Sequence, residues 1–152
     1  MSKGPVSQMG QTSPMAEICE LVKKRIEAVR TKNIDMVTNL AAFDLVLFDI
    51  VNPLQTTGSD GQRRRLADWL SSFEGPVGFE IRELSVSANE GLGFSHGLCH
   101  VSATTRKGSP LEMYWRWTAC FQKTNGDWKI THEHNSVPFD VSSGMASLDL
   151  KP

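Results

Sequence analysis

The side chains best suited to move protons or hold a metal are four histidines and one carboxylate in an apolar setting. Two of the histidines stand two residues apart in "THEHNS", Thr131 to Ser136, and two stand four apart in "HGLCH", His96 to His100. Successive side chains of a strand point to opposite faces, so His132 shares a face with His134 and His96 shares one with His100. An imidazole can act as general acid, donate a hydrogen bond to a substrate oxygen, or ligate a metal. A zinc or iron site would need a third and usually a fourth ligand at about 2 Å. His96, His100, Glu133 and Asp49 are the groups that could complete one around the His132–His134 pair. Asp49 is flanked by Phe48 and Ile50. Partial desolvation is expected there, the condition under which a carboxyl trades protons near neutrality. The competing arrangement turns Asp49 outward onto the following loop and leaves the histidines as structural hydrogen-bonding groups within the sheet.

These residues must be positioned by a regular scaffold, and its elements are legible. Ser13-Pro14 reads as an N-cap followed by proline at the first helical position. Ile18, Leu21, Val22, Ile26 and Val29 then recur at helical spacing, with Glu17, Glu20, Lys23, Lys24 and Glu27 outside. A break at Lys32-Asn33 and a short helix from about Ile34 to Ala41 follow. "DLVLFDIV", Asp44 to Val51, reads as a strand stopped by Asn52-Pro53. Leu66, Trp69, Leu70 and Phe73 form an i, i+3, i+4, i+7 stripe, a third helix ended by Gly75-Pro76. Everything afterwards is β. Val77, Phe79 and Ile81 alternate, then the phase switches to Leu84 and Val86, which predicts a bulge near Arg82. Strands over about 92–105, Met113 to Phe121 and Trp128 to Val137 are separated by Gly turns. Past Asp140 the tail is expected to be loose.

The hairpin register decides what faces inward. The longest strand alternates Met113, Trp115, Trp117, Ala119 and Phe121 on one face with Tyr114, Arg116, Thr118 and Cys120 on the other. A two-residue Asn125-Gly126 turn sets Thr124 opposite Asp127, Ala119 opposite His132 and Trp117 opposite His134. A bulged turn would shift this by one and send Glu133 and Asn135 inward instead.

Composition bounds the remaining choices. The chain has 152 residues, 39% hydrophobic and 22% charged, which suits one domain with a real core. A net charge of −1 gives no footprint for nucleic acid or an anionic membrane. Arg63-Arg64-Arg65 reads as the solvated face of a helix. The three cysteines, Cys19, Cys99 and Cys120, have no CxxC spacing and read as small apolar groups in a reducing compartment. The first residues lack the apolar core of a signal peptide, and no run approaches the roughly 20 apolar residues that span a bilayer. The expectation is a cytoplasmic protein with a disordered lead-in at 1–13, one domain at 14–140 and a tail at 141–152.

Helices grouped first and antiparallel strands grouped last indicate an α+β fold, with helices on one face of a bent sheet. The stretch "RWTACFQKTNGDWKITHEHNSVPFD", Arg116 to Asp140, resembles the C-terminal hairpin of the SnoaL-like, ketosteroid-isomerase-like branch of the nuclear-transport-factor-2-like superfamily. "FDIVNPLQTTGSDG", from Phe48, and "GPVGFEIRELSV", from Gly75, resemble its corresponding strand, loop and strand. The resemblance spans about Met15 to Asp140. It implies a cystatin-like cone in which a curved antiparallel sheet wraps the long first helix. It also implies a general base at Asp49 and a polar cavity-facing group at His96. The first helix carries no tyrosine, and Tyr114, the sole one, lies on a late strand. The oxyanion-stabilising dyad of steroid isomerases is therefore missing, and the resemblance does not extend to that activity.

The expected activity is acid–base chemistry on a small apolar organic molecule, such as isomerisation, cyclisation or hydrolysis. Asp49 would carry the proton and His96 would polarise an oxygen. Trp69, Phe73, Trp115 and Trp117 would form the walls, and His100, His132 and His134 would contact the ligand. No metal or cofactor is expected, and a homodimer through the outer sheet face is. The rival expectation is a non-catalytic cone that binds a ligand or dimerises.

Overall fold

The structure, a computed structural model, describes residues 12–152. The expected lead-in therefore lies outside the described residues except for Thr12 and Ser13. Ser13 caps α1 (Pro14–Arg30): its Oγ accepts from the Ala16 N–H at 3.2 Å, and Pro14 takes the first turn. The apolar stripe buries Ile18, Leu21, Val22, Ala28 and Val29. Each of these side chains larger than alanine contributes about 2 kcal/mol by leaving water. Lys32, with φ of 54°, turns the chain out of the helix. Asn33 then caps α2 (Ile34–Asn39) through its Oδ1 and the Met36 N–H.

The first strand begins earlier than its sequence suggests. β1 spans Ala41–Phe48, because Ala41, Leu45 and Leu47 alternate into the core, and the chain leaves the sheet after Phe48. The short β2 (Thr56–Thr57), not anticipated, folds back on Val46 and Leu47. α3 (Ser59–Ser71) ends before Phe73. Phe73 was expected to complete the helical stripe, but it opens β3 (Phe73–Ala88) and pairs with Thr105. The helix closes at Ser72, whose hydroxyl donates to the Trp69 carbonyl.

Three long strands complete the sheet: β4 (Leu92–Thr105), β5 (Pro110–Thr124) and β6 (Asp127–Ser136). The six strands lie in the order β2-β1-β6-β5-β4-β3. β1 runs parallel to β6 and every other neighbouring pair is antiparallel. The predicted bulge appears between Arg82 and Ser85, with Glu83 at φ of 53°. Gly97 lies beneath it, where an added Cβ would sit 2.7 Å from the Ile81 side chain, so glycine permits the bend. α1 lies against the concave face, where Ile18, Val22 and Val29 join Trp117, Phe121 and Ile130 in one core. Arg30 Nε and Lys32 Nζ donate to the carbonyls of Phe79 and Phe73, covering part of the free β3 edge.

The tail is not loose. Asp140 accepts hydrogen bonds from the Ser142 hydroxyl and the Ser143 N–H, and Phe139 bridges Ala146. These contacts hold the Asp140 carboxyl at about 2, below its ordinary value. Among the described residues no helix is long and apolar enough to cross a membrane.

Candidate functional site

The site is built by a slip in one strand. From the Asn125-Gly126 turn the β5–β6 ladder starts as expected, with Thr124 opposite Asp127, and it stays regular to Phe121 opposite Ile130. Thr131 is then left over. Cys120 faces His132, Ala119 faces Glu133 and Trp117 faces Asn135. The expected pairings of Ala119 with His132 and Trp117 with His134 are overturned, and both histidines turn to the outer face. The other flank of β6 is irregular at the same place: pairing with β1 jumps from Ala41–Ile130 to Val46–His132. His132 Nδ1 lies 2.7 Å from the Val46 carbonyl oxygen, to which its N–H donates. The rings of His132 and His134 meet Phe48 edge-on at 4.8 and 5.5 Å.

His96 and His100 are also outside, contrary to expectation. β4 pairs Ser95 with Ala119 and Cys99 with Trp115, so its odd-numbered positions share the inward face of β5. Ser95, Cys99 and Val101 are buried, while His96 is exposed and Leu98 only half-buried. His100 stacks on Tyr114 at 4.2 Å, and its two ring nitrogens lie 3.1 Å from Glu80 and Glu112. Asp49 and His96 therefore stand on opposite sides of the sheet and cannot work as a pair. Among the described residues no three His, Cys, Asp or Glu side chains gather closely enough to hold a metal ion.

What the slip turns inward is Glu133. It is 1% exposed, and a carboxylate so placed needs every lone pair occupied. Oε1 accepts from Trp117 Nε1 at 3.0 Å and pairs with Arg25 at 2.8 Å, and Oε2 accepts from Gln62 Nε2 at 3.1 Å. The Arg25 guanidinium lies 5.5 Å from the centroid of the Trp117 ring. α1, α3, β5 and β6 thus each contribute one group to a buried polar floor.

Above this floor is a cavity of about 100 Å³. Trp69, Phe79 and Trp115 form its aromatic wall, with Trp115 6.0 Å from each of the other two rings. Met113, Val101 and Leu66 add aliphatic surface. Asp49 lines the cavity too. Its Oδ1 accepts from the Ile50 N–H at 2.8 Å, and its Oδ2 lies 2.8 Å from Arg65 Nε, an ion pair whose N–H is not aligned as a hydrogen bond. Asn135, next along the inward face of β6, accepts from Trp115 Nε1 at 3.0 Å. Cys99 reaches the cavity as an inert thiol, because burial pushes its pKa up to about 12.

Of the expected wall residues, Trp69 and Trp115 line the cavity. Trp117 is buried beneath it, and Phe73 packs edge-on against Trp69 with Val77 and Val101 without lining it. His100, His132 and His134 do not reach it. Arg25 and Gln62 were missed, although a signal existed, and Arg65, expected on a solvated helix face, instead lines the cavity and pairs with Asp49. Arg25 falls on the buried stripe of α1, between Leu21, Val22 and Val29. Gln62 and Arg65 lie one turn before Leu66 and Trp69 on the stripe of α3. A charged or amide residue on an apolar stripe must find a buried partner, and these do.

The sequence profile of the SnoaL-like domain matches residues 18–140. Among solved structures, a nuclear-transport-factor-2-like protein of unknown function from Pseudomonas putida is 30% identical, with 91% of this chain and 96% of that one covered and a TM-score of 0.82. A ketosteroid isomerase-like protein from Erwinia carotovora atroseptica is 17% identical over 83% of this chain and 97% of its own, with a TM-score of 0.71. An uncharacterised protein with a cystatin-like fold from Caulobacter vibrioides is 15% identical over 84% and 91% of the two chains, with a TM-score of 0.68. No curated protein is significantly similar to the chain in sequence. The profile match runs from the first buried residue of α1 to the end of β6 and just beyond, so this cone is a member of the SnoaL-like domain family within the nuclear-transport-factor-2-like superfamily.

Proposed function

We propose that the protein binds a small, uncharged, largely apolar organic molecule in the cone and carries out acid–base chemistry on it, as an isomerase, cyclase or hydrolase. The observation that carries this reading is the cavity: aromatic walls on one side and polar side chains that balance in charge on the other. Arg25 and Arg65 are each in contact with one carboxylate, Glu133 and Asp49, so the four cancel formally. A charged ligand would have to break one of these pairs, whereas a neutral one leaves both intact. Asp49 is the group that would take or relay a proton. Arg65 holds it in place, and Asn135 replaces His96 as the group that meets a ligand oxygen. Trp115 occupies the Asn135 Oδ1, which leaves the Asn135 amide N–H groups to donate.

The test is exchange in heavy water. Incubated with a panel of small cyclic ketones, the protein is expected to exchange the α-protons of at least one, read by proton NMR. Asp49→Asn should slow that exchange by about a hundredfold or more. Exchange unaffected by the substitution, or absent for every ketone, contradicts the catalytic reading.

The second reading is a non-catalytic binding module, favoured by the modest size of the cavity and by the engagement of Asp49 with Arg65 and the Ile50 N–H. Under either reading a homodimer through the outer sheet face is proposed. Leu92 and Phe94, 59% and 51% exposed on β4, are the apolar residues it would cover.

A further inference from the structure

Two buried polar atoms of the floor have no partner: Gln62 Oε1 and Arg25 Nε. They belong to residues that line the cavity and grip the same carboxylate, Arg25 at Glu133 Oε1 and Gln62 at Oε2. That shared grip fixes their chemistry. The Gln62 amide cannot be reversed, because an ionised carboxylate only accepts and would then face the amide oxygen. Its carbonyl arm is therefore the free one, on a side chain whose residue is 4% exposed. A buried acceptor and a buried donor left unmade are costly, so each calls for a partner.

We propose that Gln62 and Arg25 recognise a hydroxyl group on the ligand. A hydroxyl has one donor and two acceptor lone pairs, so it can give its proton to Gln62 Oε1 and accept from Arg25 Nε. An ether or carbonyl oxygen would satisfy Arg25 alone, and a methyl group would satisfy neither. The ligand class becomes a small neutral ring compound with a hydroxyl at its buried end and its apolar body against Trp69, Phe79 and Trp115. Gln62 is then the specificity-determining residue. The inference rests on the reading of the cavity as a ligand pocket.

The probes are phenol, anisole and toluene, which share a ring but differ in what they offer the floor. Without a partner for its hydroxyl, phenol would bind more weakly than toluene, because it surrenders hydrogen bonds to water. With the floor as partner, phenol should bind about fivefold or more tighter than either of the others, measured by NMR shift titration of the wild-type protein. In Gln62→Met, which keeps the length but removes the acceptor together with the donor to Glu133 Oε2, that preference should vanish while toluene still binds. The wild-type comparison stands alone if the variant does not fold. Equal binding of the three probes, or a phenol preference that survives Gln62→Met, overturns the hydroxyl assignment and leaves the pocket reading standing. Binding of none of them overturns both.

Discussion

Glu133 is the most committed residue in the molecule, since almost none of its surface reaches water and three side chains from three elements close on it. A buried pair of this kind gains little over a well-packed apolar substitute, but removing one partner strands the other. Arg25→Met should therefore destabilise the fold by about 3–5 kcal/mol in urea denaturation, and adding Glu133→Leu should recover most of that loss. A single variant as stable as the wild type would mean that the contact is absent in solution. Asp49 is held differently, 14% exposed at the cavity edge, with one arginine and one backbone N–H. This contrast is why Asp49 is the candidate for chemistry and Glu133 the candidate for architecture.

At the scale of elements, what could be read from the sequence and what could not divide along a physical line. The starts of α1 and α2 followed from local chemistry: Ser13 and Asn33 are caps whose side chains bond the backbone within three residues, whereas α3 starts at Ser59 behind Gly58 with no side-chain cap. The β3 bulge was visible because the apolar phase itself changes across Arg82. The β6 bulge was not, because "WKITHEHNS" offers no comparable change; both faces carry polar groups, and the Asn-Gly turn correctly set only the first part of the ladder. The slip is decided by partners far away in sequence, Val46 for His132 and Arg25 and Gln62 for Glu133. Deleting Thr131 should therefore leave the inward set unchanged. The β5–β6 ladder would become regular with His132 still opposite Cys120 and Glu133 still opposite Ala119, so both histidines stay outside and Glu133 keeps its partners. Cooperative unfolding by circular dichroism is the expected result, and its loss would show that the leftover residue is itself needed to hold the strand.

At the scale of the whole molecule, the cone was more legible than its contents. Fold follows from the order of elements and from one long alternating strand, which the sequence displays directly. Trp69 and Trp115 could be assigned to the cavity because their own stripe or alternation places them there. His96 could not, because the face of β4 is set by its pairing with β5, and Leu98, the apolar residue of the same parity, is only half-buried. The polar floor escaped because it is assembled from four elements, each giving one polar residue to an otherwise apolar surface.

The arrangement depends above all on β6 presenting an acid and an amide to the interior while its two imidazoles face away. Nuclear Overhauser contacts to the indole N–H protons of Trp117 and Trp115 examine this directly. The prediction is that these protons see the side chains of Glu133 and Asn135, and that the ring protons of His132 and His134 see Phe48. Cross-peaks from either imidazole to the indole N–H groups would contradict it, and the cavity would then need rebuilding around the histidines.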